Sequence, residues 1–193
     1  MTRTREFDVN ETLDKAMHLF WEKGYVETSV RDLVKCTGVA HAGLYSAFGD
    51  KEGLFKAAVR KYCLKIADEM FGVLDHDNAG RAEIEHVFEI ILQMNKDGRL
   101  RKGCMLVNTA VEFSGTDEEL NNLVLGNFKK LENALSRALT HAVAAGKVRN
   151  DLPVKRIATS MATTIHGLSV LSRAGISIAT IEQVILATLE QLD

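Results

Sequence analysis

One proline in 193 residues is far below the roughly 5% of an average chain. A sandwich or barrel with many tight turns uses more, so the scarcity points to long helices. Cysteine is sparse as well: Cys36, Cys63 and Cys104 form no C-x-x-C pair and leave an odd thiol. Neither a disulfide framework nor a zinc knuckle is expected, and a reducing cytoplasm fits. No sign of charge dominates: the formal net charge is −2, so this is no polycation of the histone kind. No apolar run is long enough to cross a bilayer. The longest charge-free stretch, Ile157 to Ser172, contains His166 and six Ser or Thr side chains and falls short of the roughly 18 apolar residues a span needs. Arg3 and Arg5 are followed by Glu6 and Asp8 with no apolar stretch behind them, so no secretory signal is expected. The expectation is a soluble cytoplasmic protein without a membrane partner.

What is present suits a folded chain. Hydrophobic residues make up 46% and charged residues 26%, the balance of a globular protein with a sizeable core. The charge is split along the chain. Residues 1–65 hold 11 Lys/Arg against 9 Asp/Glu, whereas residues 66–193 hold 13 against 17. The N-terminal third can approach an anion and the remainder is acidic.

Apolar residues recur at helical spacing throughout. Asp8-x-x-Glu11 reads as a capping box for a helix carrying Leu13, Ala16, Met17 and Phe20, ended by Gly24. Thr28 and Ser29 offer an N-cap to a short helix with Val30, Leu33 and Val34, broken at Thr37-Gly38. A second short helix covers about Ala40 to Ala47. Asp50 then caps a long helix through Leu54, Ala58, Cys63, Ile66 and Met70. Further helices are expected near Arg81–Lys96, Met105–Phe113, Asp117–Ala145, Pro153–Ala174 and Ser177–Leu192, punctuated by Thr116-x-x-Glu119, Gly146 and Pro153. The fold class is therefore all-α, with about nine helices.

The informative stretch is Thr28 to Leu54. Helices of one or two turns do not stand alone in water, so Leu33, Val39, Leu44 and Phe48 must pack on the flanking helices. That is the layout of a helix-turn-helix, whose second helix enters the DNA major groove. The outward residues His41, Ala42, Gly43, Tyr45, Ser46 and Ala47 include no acid, so they can approach phosphates without like-charge repulsion.

The run Thr28-Ser29-Val30-Arg31-Asp32-Leu33, followed by Gly38-Val39-Ala40-His41-Ala42-Gly43-Leu44-Tyr45-Ser46-Ala47-Phe48-Gly49-Asp50-Lys51-Glu52-Gly53-Leu54-Phe55, closely resembles the DNA-binding domain of the TetR/AcrR family of bacterial repressors. The resemblance covers about residues 8–60. It implies a helix-turn-helix domain over residues 1–52 and a helical ligand-binding and dimerisation domain over residues 53–193. Tyr45 and Lys51 match positions that grip phosphate. Thr28 matches a hydroxyl that caps the second helix against the DNA backbone, and Arg31 a side chain that reaches a base or phosphate. Ala40, His41 and Ala42 fall where members contact base edges, with Gly43 and Ser46 on the same helix. Two positions depart from the pattern. Ala47 replaces a common His or aromatic contact, and Gly43 replaces a Ser, Thr or Ala at a cost of about 1 kcal/mol in helix propensity.

Beyond this segment, Arg99-x-Arg101-Lys102-Gly103-Cys104 opens a helix. Three cations and a helix N-terminus both favour thiolate, so Cys104 is a candidate sensor of electrophiles or oxidants, against the alternative of a small buried hydrophobe. Asn108, Phe128 and His166 complete the candidate ligand or sensor set, although a core histidine satisfied by its neighbours is the default for His166. Cys36 and Cys63 sit near apolar helical faces and read as core. Asp75-His76-Asp77 and Glu83-x-x-His86 read as solvated faces, and no metal or cofactor is expected. The stripe Leu120, Val124, Phe128, Leu131, Leu135 and Leu139 reads as a core face. The last two helices resemble the family's pairing helices, which places Ile157, Met161, Ile165, Leu168, Ile181, Val184, Ile185 and Leu189 at a dimer interface.

Three function classes follow. The leading one is a ligand-responsive regulator, a repressor that binds a palindromic double-stranded operator as a homodimer and releases it when a small apolar effector binds. An electrophile-sensing repressor acting through Cys104 is its variant. An enzyme lacks support, because no GxSxG, HExxH or phosphate loop occurs. An architectural DNA binder without a ligand should be strongly basic, and this chain is not.

Overall fold

Short polar side chains start most of the helices. The Asp8 carboxylate accepts the N–H groups of Asn10 and Glu11 at 2.8 and 3.0 Å and opens α1, Val9–Lys23. Glu11 does not complete a capping box but pairs with Lys15 instead. Ser29 and Asp32 form a reciprocal capping box on α2, Val30–Thr37. After α3, His41–Phe48, Asp50 accepts the Gly53 N–H at 2.7 Å and begins α4, Lys51–Ile66. The chain continues through α5 (Arg81–Lys96), α6 (Met105–Phe113), α7 (Glu118–Ala144), α8 (Val154–Arg173) and α9 (Ile178–Leu189). Asp117, not Thr116, caps α7, while the Thr116 hydroxyl turns back to the Phe113 carbonyl.

The computed structural model describes residues 7–113 and 116–193, without the side chains of residues 70 and 71. The readings at Arg3, Arg5 and Glu6, and the side chain of Met70, lie outside the described residues. Among the described residues there are nine α-helices and no strand, and no helix is long and apolar enough to cross a membrane.

The helix expected to run unbroken from Asp50 to Met70 is α-helical only to Ile66. One π turn, Ala67–Phe71, and a 3-10 turn, Gly72–Leu74, follow. A further 3-10 turn, Arg99–Lys102, leads into α6. Helices α1 and α3 pack on α4, and α2 packs on α1 and α3, around Phe20, Leu33, Leu44, Leu54 and Phe55, all essentially inaccessible. Burying one such side chain is worth about 2 kcal/mol, enough to hold two-turn helices that would melt alone. Helices α5 to α9 form a bundle in which α7 and α8 lie side by side. On α7, Leu120, Val124, Leu131, Leu135 and Leu139 are buried as expected, and Phe128 is half-buried.

One expectation about the cysteines is corrected. Cys36 is exposed, its thiol near the Lys15 carbonyl, while Cys63 is buried. Of the residues expected to pair two chains, Met161, Ile165, Leu168, Ile181 and Ile185 are buried inside this single chain. Ile157, Val184 and Leu189 are half-buried against the same core. The large apolar side chains these two helices leave in solvent are Val170, Leu171 and Leu186. The five buried side chains face their own bundle, and the half-buried three keep part of their surface outward.

Candidate nucleic-acid interface and effector cavity

Leu33 and Leu44, both fully buried, anchor α2 and α3 in the small core they share with α1 and α4. Between them Gly38 takes the left-handed conformation, φ +74°, that turns the chain. The Thr37 hydroxyl donates to the Leu33 carbonyl at 2.7 Å and accepts the Val39 N–H at 3.2 Å, which fixes the approach to α3. The outer side of α3 presents His41, Ala42 and Ser46 in solvent, with Ala40 exposed at its cap. Tyr45 is half-buried, and its ring lies 4.1 Å from that of His41. Arg31 projects from α2 and is exposed. The nearby Asp32 is spent locally: hydrogen bonds from Ser29, helped by Lys23, hold its carboxyl at about 2.

Two of the expected DNA contacts sit elsewhere. Thr28 is fully buried and its hydroxyl donates to the Gly24 carbonyl. It braces the turn before α2, and Ser29 is the cap. Gly43 turns its bare side inward, where a Cβ would lie 3.0 Å from Val39 Cγ1 and 3.4 Å from Phe7 Cε1. The glycine therefore serves close packing of α3 rather than presenting a side chain outward. Lys51 rests its Nζ 4.3 Å from the centre of the Tyr25 ring, a cation–π contact. Burial lowers its pKa, against the opposing pull of Glu112.

The same tyrosine joins this head to the rest of the molecule. Glu112, in the last turn of α6, accepts the Tyr25 N–H on both carboxylate oxygens at 3.1 and 3.0 Å and the Val26 N–H at 3.3 Å. The next residue, Phe113, packs its ring 5.1 Å from Tyr25 and 5.2 Å from Phe55. At the other end of α6, the Trp21 indole donates to the Gly103 carbonyl at 2.9 Å, and Lys102 pairs with Glu22 at 2.8 Å. Both ends of α6 are thus tied to α1 or to the turn that follows it. Sequence reasoning missed Glu112 and Tyr25, because a contact across 87 residues leaves no local pattern.

Beside α6 lies a small apolar cavity of about 40 Å³. Its walls include Tyr62 and Ile66 of α4, Ile91 of α5, Cys104 and Leu106 beside α6, Asn127, Phe128 and Leu131 of α7, and Ile165, His166 and Ser169 of α8. Three of the four expected ligand or sensor residues, Cys104, Phe128 and His166, meet here. Asn108 does not: its amide donates to the Lys102 carbonyl. His166 is not satisfied by its neighbours, since Nε2 is buried with no partner, and burial lowers its pKa. Cys104 is not the activated thiol expected from its cationic surroundings. Burial raises its pKa, only partly offset by backbone and Tyr62 hydrogen bonds. Two of the flanking cations are occupied elsewhere, Arg99 with Asp97 and Lys102 with Glu22. A wider groove of about 800 Å³ beside Arg81, Glu85 and His141 is open, and Arg81 is paired there with Glu85 and Asp193.

The two acidic motifs are surface features. Asp75 pairs with Arg137, Glu83 accepts the Gly80 N–H, and His86 faces Glu89. Among the described residues no group of three or more His, Cys, Asp or Glu side chains could hold a metal.

Known proteins resemble this chain in sequence and in fold. The family model described as bacterial regulatory proteins, tetR family, matches residues 13–58, and that of the tetracyclin repressor-like C-terminal domain matches residues 80–187. The HTH-type transcriptional repressor ComR of Escherichia coli is 29% identical over 188 residues, covering 97% of this chain and 90% of ComR. An HTH-type transcriptional regulator of Bacillus subtilis, YezE, is 30% identical over 151 residues, covering 78% of each. Among solved structures, a cysteine mutant of the TetR family transcriptional regulator CifR, complexed with 26-base-pair double-strand operator DNA, superposes with a TM-score of 0.84. That likeness is 25% identical and covers 97% of this chain and 98% of CifR. With residues 13–58 matching the model of the tetR family of bacterial regulatory proteins and residues 80–187, more than half of the chain, matching the tetracyclin repressor-like C-terminal domain, the protein belongs to the TetR family of bacterial transcriptional regulators.

Proposed function

We propose that the protein is a cytoplasmic transcriptional repressor that binds a palindromic operator as a homodimer and releases it when a small uncharged effector enters the cavity beside α6. Residues 1–52 read DNA, and residues 53–193 bind effector and dimerise. The observation that carries this reading is α6 itself. The chain entering it lines the cavity with Cys104, Leu106 of its first turn does the same, and its last turn holds the Tyr25 turn through Glu112. A ligand that moves α6 therefore moves the support of Lys51 and of α2 and α3.

On DNA, Arg31, Tyr45 and Lys51 meet phosphate, while Ala40, His41, Ala42 and Ser46 face base edges. Phosphate contacts set position and base contacts set sequence. ComR, named as a transcriptional repressor, the Staphylococcus aureus negative transcriptional regulator IcaR and the operator complex of CifR support repression at an operator. Pairing uses the outer apolar residues of α8 and α9, Val170, Leu171 and Leu186, around a two-fold axis. Selection from random duplex DNA tests the reading: a dyad-symmetric site with half-sites about one helical turn apart is expected. Lys51→Ala should weaken binding to every sequence and lower the salt slope by about one. Selection that returned no dyad-symmetric motif would overturn it.

A further inference from the structure

Among the buried side-chain nitrogen and oxygen atoms described in the wall of the small cavity, one lacks a partner. Asn127 donates its amide to the Leu123 carbonyl, and Ser169 donates its hydroxyl to the His166 carbonyl. His166 Nε2 alone is buried and unpartnered among the side chains described. Native structures seldom leave a buried polar atom orphaned, and such an atom is met by a bound water, an ion or a ligand. The imidazole is held in place, its ring 4.1 Å from that of Phe128.

The remaining lining narrows the chemistry. No Lys, Arg, Asp or Glu faces the space, so a charged group entering it would lose its hydration with no counter-ion. Burial keeps His166 neutral by lowering its pKa, which removes the one potential cation. The free space of about 40 Å³ holds roughly three water molecules, a room for a compact molecule and not for a polycyclic one. A neutral imidazole offers either a lone pair or an N–H at Nε2. A hydroxyl group matches both tautomers, as donor to the first and acceptor from the second, whereas a carbonyl matches only one.

Resting on the reading of this cavity as the effector site, we infer that it binds a compact, uncharged, largely hydrocarbon alcohol whose hydroxyl is held by His166 Nε2. The inference names an anchor atom, a charge and a size, and each can be varied separately.

The test uses the full-length dimer with 15N-labelled histidine and three probes of similar size: 1-propanol, 1-chloropropane and propionate. Long-range 1H–15N spectra follow His166 Nε2 during titration, assigned with the variants His166→Phe and His166→Gln. The expected result is that 1-propanol moves the Nε2 resonance and binds about tenfold more tightly than 1-chloropropane, while propionate leaves the resonance in place. His166→Phe, which keeps the ring, should bind 1-propanol and 1-chloropropane within about twofold of each other. His166→Gln retains a hydrogen-bonding group and should keep part of the preference, so a folding defect in one variant does not decide the matter. Equal binding of 1-propanol and 1-chloropropane by the wild type would overturn the inference, as would an Nε2 resonance that stays still at saturation. Operator affinity measured with the same probes separates the two readings. If 1-propanol engages His166 and leaves operator affinity unchanged, the binding chemistry stands and the effector role fails. If 1-propanol releases operator from wild type and His166→Phe alike, the effector role stands and the anchor is wrong.

Discussion

Removing the Glu112 carboxylate isolates the link between the DNA-reading head and the helical domain. In Glu112→Ala the N–H groups of Tyr25 and Val26 lose an acceptor that held them at 3.0 to 3.3 Å. A hydrogen bond to a charged group contributes about 1.5–3 kcal/mol net when sheltered. Glu112 is exposed, so water replaces much of what is lost, and a total of about 1–2 kcal/mol is the reasonable expectation for the clamp. If that energy sets the orientation of the head before it meets DNA, operator affinity should fall by about 5- to 30-fold. Electrostatics alone points the other way, because deleting a carboxylate near Lys51 favours a polyanion. A net loss therefore belongs to the clamp. Glu112→Gln keeps one carbonyl acceptor and should lose less. The assay is fluorescence anisotropy on the selected operator over a salt series, with thermal unfolding recorded for each variant. The slope of affinity against salt should not change, since Glu112 neutralises no phosphate. Wild-type affinity in Glu112→Ala would refute the reasoning, and so would a loss accompanied by a changed salt slope.

Three further outcomes follow from burial. Leu186→Glu, at a site 60% exposed in the single chain, should yield a folded monomer by light scattering. Ile185→Lys, one residue earlier and 8% exposed, should instead lower the melting temperature sharply by burying an unpaired charge; a stable Ile185→Lys monomer would invert this assignment of faces. Native protein treated with a disulfide reagent should release one thiol equivalent, from Cys36, with Cys63 and Cys104 reacting only on unfolding. Burial pushes the Cys63 thiol up to about 11 and also raises that of Cys104, and rapid native labelling of Cys104 would contradict the picture. Stability should fall as pH drops. The folded pKa of His166 lies below its unfolded value through burial, so the unfolded chain takes up the proton first. The loss begins near the unfolded value of about 6.5 and continues down to the folded one, at up to about 1.4 kcal/mol per pH unit. His18 is shifted the same way by burial and by Lys65 and Lys102. His166→Phe should flatten the decline, and an unchanged pH profile would count against a buried neutral imidazole.

Much of the fold was legible because its punctuation is local. Gly24 and Gly38 close α1 and α2, Asp8, Ser29 and Asp50 open α1, α2 and α4, and each acts within three or four residues of itself. The helix-turn-helix was legible for the same reason, with α2, its turn and α3 contained in one short run. Reading failed where a residue's role depends on what packs against it from far away. Periodicity marked α8 and α9 as apolar but could not say which apolar side meets the protomer's own core. The cations around Cys104 argued for a reactive thiol, and the structure turns that thiol toward Tyr62 and an apolar cavity. His166 offered no sequence signal separating a satisfied histidine from an orphaned one. Gly43 looked like a gap in an outward surface, yet its missing side chain makes room for Val39 and Phe7.

The contact between Trp21 and the Gly103 carbonyl also gives the molecule an intrinsic optical reporter. Trp21 is the chain's one tryptophan, so all indole emission arises at the seam where α1 meets the approach to α6. With the indole 8% exposed and its N–H bonded, the emission should be blue-shifted while the seam is closed. Opening the seam admits water and should move it to the red. Fluorescence of the unmodified protein can thus time the opening of this seam against operator release, without an added label.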